Sequence, residues 1–140
     1  MKNFTDLLGR VLLSFIFFYE AYDAIKYVGH TKALMASYGI TWRQDLLLYG
    51  SVTFLILGGL MILSGYRARL GAFLLLLYWL PVTFIIHAFW RHAPGELYRV
   101  EAMQFMKNLT IAGGLLMVMS NGTGAWAIRR IFATARVPGA

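Results

Sequence analysis

The sequence contains no cysteine, and only 14% of its 140 residues are charged. The lack of cysteine excludes disulfides, thiolate metal sites and thiol catalysis. Zinc-binding, Walker, nucleophile-elbow and dinucleotide-binding motifs are also absent. An ordinary soluble domain has about 25% charged residues, and the charged fraction of this chain lies well below that value. The usual signatures of a soluble enzyme are therefore missing.

Apolar residues take the place of the missing charges. Hydrophobic residues make up 59% of the chain, and the mean hydropathy is +0.63. So small a globule cannot bury this much apolar surface, because its surface is large relative to its volume. The surplus requires a lipid bilayer, and no polar stretch is long enough for a second, soluble domain. We therefore predict a single membrane domain over residues 1–140.

Four apolar segments have the roughly 20-residue length that a bilayer requires. They cover approximately residues 7–28, 45–64, 70–90 and 102–120. The loop between the first two mixes polar and apolar residues, which favours a short interfacial helix. Residues 121–140 form a tail whose basic stretch, 126–136, predicts an amphipathic helix on the membrane surface. The predicted fold class is all-α, an integral membrane four-helix bundle with these two additions.

The net charge of +7 comes from basic residues that flank the apolar segments. Such residues face anionic lipid head groups, and no nucleic-acid motif accompanies them. Four spans place both termini on one side, together with Arg10, Arg67 and Arg69. Cations are more numerous on this side once Lys26 and Lys107, which lie within helices, are set aside. The positive-inside rule then predicts cytoplasmic termini, with the other end of the bundle facing outward.

Polar residues are concentrated at this outer end. Ionisable groups within a membrane are costly and mark functional sites. The third segment carries a stripe on one helix face, because Trp79, Thr83, His87 and Arg91 recur every four residues and Trp90 follows His87 by three. The first and fourth segments carry similar stripes. The candidate site residues are Glu20, Asp23, Lys26, Thr83, His87, Trp90, Arg91, Glu101, Gln104, Lys107 and Asn108.

A structural interpretation of this cluster is an ion-pair network that locks the bundle. Glu20 or Asp23 would neutralise Lys107, and Glu101 would neutralise Arg91. Buried charges need such partners, and the pairs on their own would offset the cost of placing charges in a membrane.

A functional interpretation of the same cluster is a ligand pocket. Lys107, His87, Gln104, Asn108 and Trp90 could donate hydrogen bonds to a carbonyl or an oxyanion, while the carboxylates carry protons. This set of groups suits a quinone head group, and it suits other small amphipathic ligands as well. The residues alone leave the lock and the pocket open.

The sequence shows no evident cofactor, and a quinone is the candidate ligand. The chain has only three histidines, His30, His87 and His92. Haem ligation is disfavoured because axial ligands prefer well-fixed helical positions, whereas His30 lies in a loop and His92 just beyond a helix. No metal-binding motif is present either.

Four short motifs occur in order along the chain. They are GRVLL at 9–13, LGGL at 57–60 followed by GYR at 65–67, HAFW at 87–90, and FMKNL at 105–109 leading to GGLL at 113–116. In this order and spacing the chain resembles the DoxX family of small bacterial and archaeal membrane proteins, over nearly its whole length up to about residue 120.

The resemblance implies a four-helix bundle in the cytoplasmic membrane and a link to membrane redox chemistry. The family is named from a subunit associated with a terminal quinol oxidase, and relatives serve as thiosulfate:quinone oxidoreductase subunits. Two departures are visible. Asp23 stands where members often have glycine, and the apolar run 54–57 replaces a frequent glutamate. The acidic groups of this chain lie instead on the first helix.

These observations favour a redox-associated subunit that binds a quinone or a similar lipid-soluble ligand near the outer membrane face. A membrane or periplasmic partner would supply the electron carrier, and whether the chain itself is an enzyme is left open. The alternative is a non-catalytic membrane anchor or assembly component of a larger complex. A homo-oligomer is a separate possibility. Small-solute transport is disfavoured because four helices are few for alternating access.

Overall fold

The described part of the protein consists of helices and their connecting loops, with no strand. The computed structural model describes residues 2–123 and 126–127. Five α-helices follow in order, α1 (Lys2–Lys26), α2 (Val28–Ser37), α3 (Gln44–Ser64), α4 (Ala68–Ile86) and α5 (Glu96–Asn121), with a short 3-10 turn at Phe89–Arg91 between the last two. The predicted all-α class and the helix in the first loop are confirmed. The predicted amphipathic tail helix lies largely outside the described residues.

Three of the four long helices, α3, α4 with the 3-10 turn, and α5, are long and apolar enough to cross a membrane. The fourth, α1, has 25 residues and matches them in length. It carries more charge, with Asp6, Arg10, Glu20 and Asp23 along it. Its crossing of the membrane therefore stays a prediction.

The third apolar segment ends as a helix earlier than predicted. The α-helix stops at Ile86, and the Phe89–Arg91 turn follows. The turn places the Phe89 and Trp90 rings 5.4 and 5.5 Å from the ring of Phe105 on α5. Packing between helices therefore overrides the helical period here. The prediction that Trp90 and Arg91 continue the helix face of His87 is wrong.

The long helices pack in chain order, α1 on α3, α3 on α4, and α4 on α5. Glycines allow the closest of these approaches. A Cβ on Gly71 would lie 2.7 Å from Met61 Cβ and 3.0 Å from the Gly58 carbonyl oxygen, so α3 and α4 cross backbone to backbone. Gly59 makes room for a side chain of α1 instead, since a Cβ there would lie 2.9 Å from the Phe18 ring.

One end of the bundle, here called the α2 end, carries α2, the start of α3, the end of α4 and the start of α5. Side chains tie the first loop to it. The Tyr38 hydroxyl donates to the Ile86 carbonyl at 2.9 Å. Gln44 donates to the Ile40 carbonyl at 2.7 Å, and Lys32 pairs with Asp45. These bonds hold α2 and its loop beside the end of α4.

The opposite end, here called the Arg10 end, is fastened by a buried guanidinium. Arg10 is only 3% exposed. It pairs with Asp6 at 3.0 Å and donates to the carbonyls of Leu63 at 2.8 Å and Trp126 at 2.7 Å. The sequence interpretation of Arg10 as a flanking cation is therefore wrong, since it joins α1, α3 and the segment after α5.

Candidate functional site

A polar pocket lies at the α2 end between α1, α4 and α5. Its volume is about 160 Å³. Ile16 and Glu20 reach it from α1, while His87 follows directly on α4. The remaining lining residues are Tyr78, Trp79 and Val82 of α4 and Gln104, Lys107, Asn108 and Ile111 of α5. The structure thus brings five of the predicted site residues together, namely Glu20, His87, Gln104, Lys107 and Asn108.

The pocket lies between α1 and α5, which make little direct contact. One approach between them lies toward the Arg10 end. There a Cβ on Gly114 would lie 3.4 Å from Leu13 Cδ1. Elsewhere in the described residues α1 packs on α3 and α5 packs on α4, with little direct contact between α1 and α5. The side chains of Glu20, Gln104 and Lys107 are exposed in the space that remains. The α4 helix closes the pocket at the back.

His87 is held by a carboxylate. Its Nδ1 lies 2.8 Å from Glu101 Oε2, and the two side chains are 22% and 20% exposed. A histidine whose Nδ1 is bound in this way has a fixed ring orientation and presents Nε2 as its second polar atom. Glu101 therefore acts on the pocket through His87, because it does not itself line the cavity.

The ion pairs that the structural interpretation predicts do not form among the described residues. Glu101 pairs with His87 and not with Arg91. Among the residues that the structure describes, no ion pair joins Lys107 to Glu20 or Asp23. The two predicted pairings are wrong. Lys107 instead faces the pocket as a cation without a carboxylate in contact.

The other predicted site residues lie outside the pocket lining. Lys26 packs 5.3 Å from the ring centres of both Tyr22 and Tyr27. Buried Thr83 donates to the Trp79 carbonyl at 2.7 Å, so its hydroxyl is satisfied within α4. Trp90 belongs to the aromatic cluster on Phe105. Asp23 and Arg91 are likewise absent from the pocket wall.

Tyr78 and Trp79 line the pocket, and sequence reasoning did not include them among the site residues. Trp79 is buried, packs edge-on to Phe17 at 5.3 Å, and donates from Nε1 to the Asn108 carbonyl at 3.2 Å. That bond fixes α5 beside α4 at the level of Lys107. The sequence signal that could have identified them is the hydroxyl or N–H of each aromatic side chain, which needs a hydrogen-bond partner in an apolar span.

No group of three or more histidine, aspartate and glutamate side chains in the described ranges could hold a metal ion. The arrangement offers hydrogen-bond donors and a cation on one wall and the Glu20 carboxylate on another. Such a pocket can bind an oxygen-bearing head group and exchange protons with it.

Comparison with known proteins places the chain in a family. The DoxX family model matches residues 5–88, which is more than half of the chain. The chain belongs to the DoxX family. The predicted membership is confirmed, and the matched part contains Glu20, Tyr78 and His87.

Two relatives extend the likeness beyond the matched part. The inner membrane protein YqjF of Escherichia coli K12 is 31% identical over 138 residues, covering 94% of this chain and 96% of YqjF. The Surfeit locus protein 4 homolog of Schizosaccharomyces pombe is 31% identical over 133 residues, covering 91% of this chain but 37% of that protein. No solved structure matches significantly. The chain is thus a DoxX-family membrane protein with an inner membrane relative.

Proposed function

We propose that this DoxX-family protein binds a quinone, or a lipid-soluble molecule with a similar carbonyl-bearing head group, in the pocket at the α2 end. The observation that carries the proposal is the state of Lys107. It faces a cavity that also holds His87 and Glu20, yet no carboxylate in the described ranges pairs with it. A cation in an apolar helix needs a partner, and a ligand oxygen supplies one.

The size of the pocket agrees with a single ring. A cavity of about 150 Å³ in another protein accommodates benzene, and this pocket measures about 160 Å³. Lys107 and Asn108 would donate to one ring oxygen. Because His87 Nδ1 lies against the Glu101 carboxylate, the Nε2 of a neutral His87 would accept a hydrogen bond from the other oxygen when that oxygen is a hydroxyl of the reduced ring. Glu20 provides a carboxylate on the far wall for proton exchange. The chain would act with a membrane or periplasmic redox subunit that supplies the electron carrier.

The same proposal gives the protein a place in the cytoplasmic membrane of a bacterium or archaeon, with four spans and cytoplasmic termini. The charges of α1 are compatible with a crossing, because Arg10 is satisfied by Asp6 and by backbone carbonyls. Glu20 faces the pocket. Intramembrane charges are tolerated when they pair or line a cavity. The pocket would then open near the outer face.

Binding of a quinone analogue to the purified full-length protein tests the proposal. We expect Lys107→Ala and His87→Ala each to weaken binding about 10- to 100-fold, since each removes a charged or polar hydrogen bond. Lys26→Ala is the matched control, because Lys26 lies outside the pocket on aromatic rings. Unchanged affinity in both pocket variants would reject the site.

A further inference from the structure

Tyr78 lines two concavities. On one side is the polar pocket, and on the other is a groove of about 250 Å³ between α3 and α4. The groove wall consists mainly of Leu46, Leu47, Gly50, Phe54, Leu77 and Pro81. The two spaces therefore adjoin across one side chain of α4.

Apart from Tyr78, the described residues of the groove wall offer no free polar group to a ligand. Its one hydroxyl other than that of Tyr78 belongs to Ser51, which donates within α3 to the Leu47 carbonyl at 2.7 Å. The groove also lies at the depth of the pocket, since it involves the first part of α3 and the last part of α4, both at the α2 end. It is thus an apolar space beside a polar one.

We infer that the α3–α4 groove holds the hydrocarbon chain of the molecule whose head group occupies the polar pocket, with Tyr78 at the junction. The inference rests on the proposed function and assigns its substrate class, an amphipathic molecule with an alkyl or isoprenoid chain. The position of Tyr78 in the wall of both spaces and their common depth support one ligand that reaches from the pocket past this side chain into the groove. The groove would bind the hydrocarbon chain through packing contacts that fit its shape. Moving the chain from the lipid tails into the groove gains no hydrophobic free energy, because both surroundings are apolar.

Gly50 makes the groove testable. A Cβ on Gly50 would meet no atom within 4 Å, so a larger side chain there enters open space and not the packed core. Gly113 on α5 has the same open surroundings and lines neither concavity. Gly50→Leu should therefore fill the groove while Gly113→Leu serves as the matched control. Both changes place a better helix former in a helix.

The experiment measures binding of two probes to the purified full-length protein, a benzoquinone head group without a chain and the same head group with a decyl chain. We expect the chain to strengthen binding to the natural sequence and to the Gly113→Leu variant. Gly50→Leu should remove about fivefold or more of that gain through lost packing contacts, and should leave the chainless probe unaffected. Thermal unfolding of each variant verifies that the fold is retained.

The outcomes separate the two proposals. If neither probe binds the natural sequence, the proposed function fails. If the head group binds but the chain brings no gain, or if Gly50→Leu leaves the gain intact, the groove inference is overturned while the head-group site stands. A groove inference overturned in this way would mean that chains of bulk lipid fill the groove.

Discussion

Arg10 and Lys107 are both cations in apolar helices, and their surroundings differ. Arg10 is buried, and its donors reach Asp6 and backbone carbonyls of two other segments. Lys107 is exposed and lines a cavity, and no carboxylate among the described residues contacts it. The bundle therefore has the lock that buried charge implies, but at the Arg10 end, whereas the α2 end has a pocket.

Replacement of Arg10 tests the lock. Arg10→Ala removes the donor to the Leu63 and Trp126 carbonyls and breaks the ion pair with Asp6, and we expect a loss of about 3 kcal/mol or more in the free energy of unfolding. Chemical denaturation in a mild detergent measures it. The control is Arg99→Ala, an exposed cation of α5, which should change stability little. Equal stability of the two variants would contradict a fastening role for Arg10.

The His87–Glu101 pair makes a second prediction at the residue scale. Because Glu101 acts on the pocket only through His87, Glu101→Ala should weaken quinone-analogue binding in the natural background and have no further effect in the His87→Ala background. Glu96→Ala, at the exposed start of α5, is the control. Additive losses in the double variant would show that Glu101 contacts the ligand independently.

At the scale of elements, the α3–α4 crossing depends on small residues. Gly71→Ala would force its Cβ against Met61 and the Gly58 carbonyl, and we expect a loss of about 1–3 kcal/mol in unfolding free energy. Gly113→Ala, in open surroundings, should instead be neutral or more stable by about 0.5–1 kcal/mol. Detergent denaturation of both variants checks the contrast. A loss of the same size at Gly113 would show that the effect comes from the helix backbone and not from the crossing.

Hydropathy predicted the long helices well, because each is an apolar run bounded by loop residues. It failed at His87, where the rings of Phe89 and Trp90 pack on Phe105 of another helix. Helical periodicity carries no information about such a contact between distant segments. The pairing of His87 with Glu101 was missed for the same reason, since it depends on how the 3-10 turn redirects the chain.

For the molecule as a whole, part of the candidate site could be predicted from the sequence. The idea that polar ends of α1, α4 and α5 converge placed Glu20, His87 and Lys107 together, as the structure does. Spacing could not show which members line the cavity. Lys26 and Thr83 share the stripes but are engaged by neighbouring rings and by a backbone carbonyl. Tyr78 was missed because an aromatic residue in an apolar span is ordinary.

The membrane topology of the whole chain can be tested by labelling. Because the sequence has no cysteine, single introduced cysteines report cleanly on sidedness. In intact cells an impermeant maleimide should label Thr41→Cys and Gly95→Cys, but not Thr5→Cys or Tyr66→Cys until the membrane is permeabilised. Labelling of both Thr5→Cys and Thr41→Cys from outside would mean that α1 does not cross the membrane.

An experimental structure of the protein saturated with a quinone analogue tests the central claim most directly. We expect a ring between α1, α4 and α5, with one ring oxygen within hydrogen-bond distance of Lys107 Nζ and the other near His87. A pocket that stays empty at saturation, with Lys107 paired directly to Glu20, would contradict it.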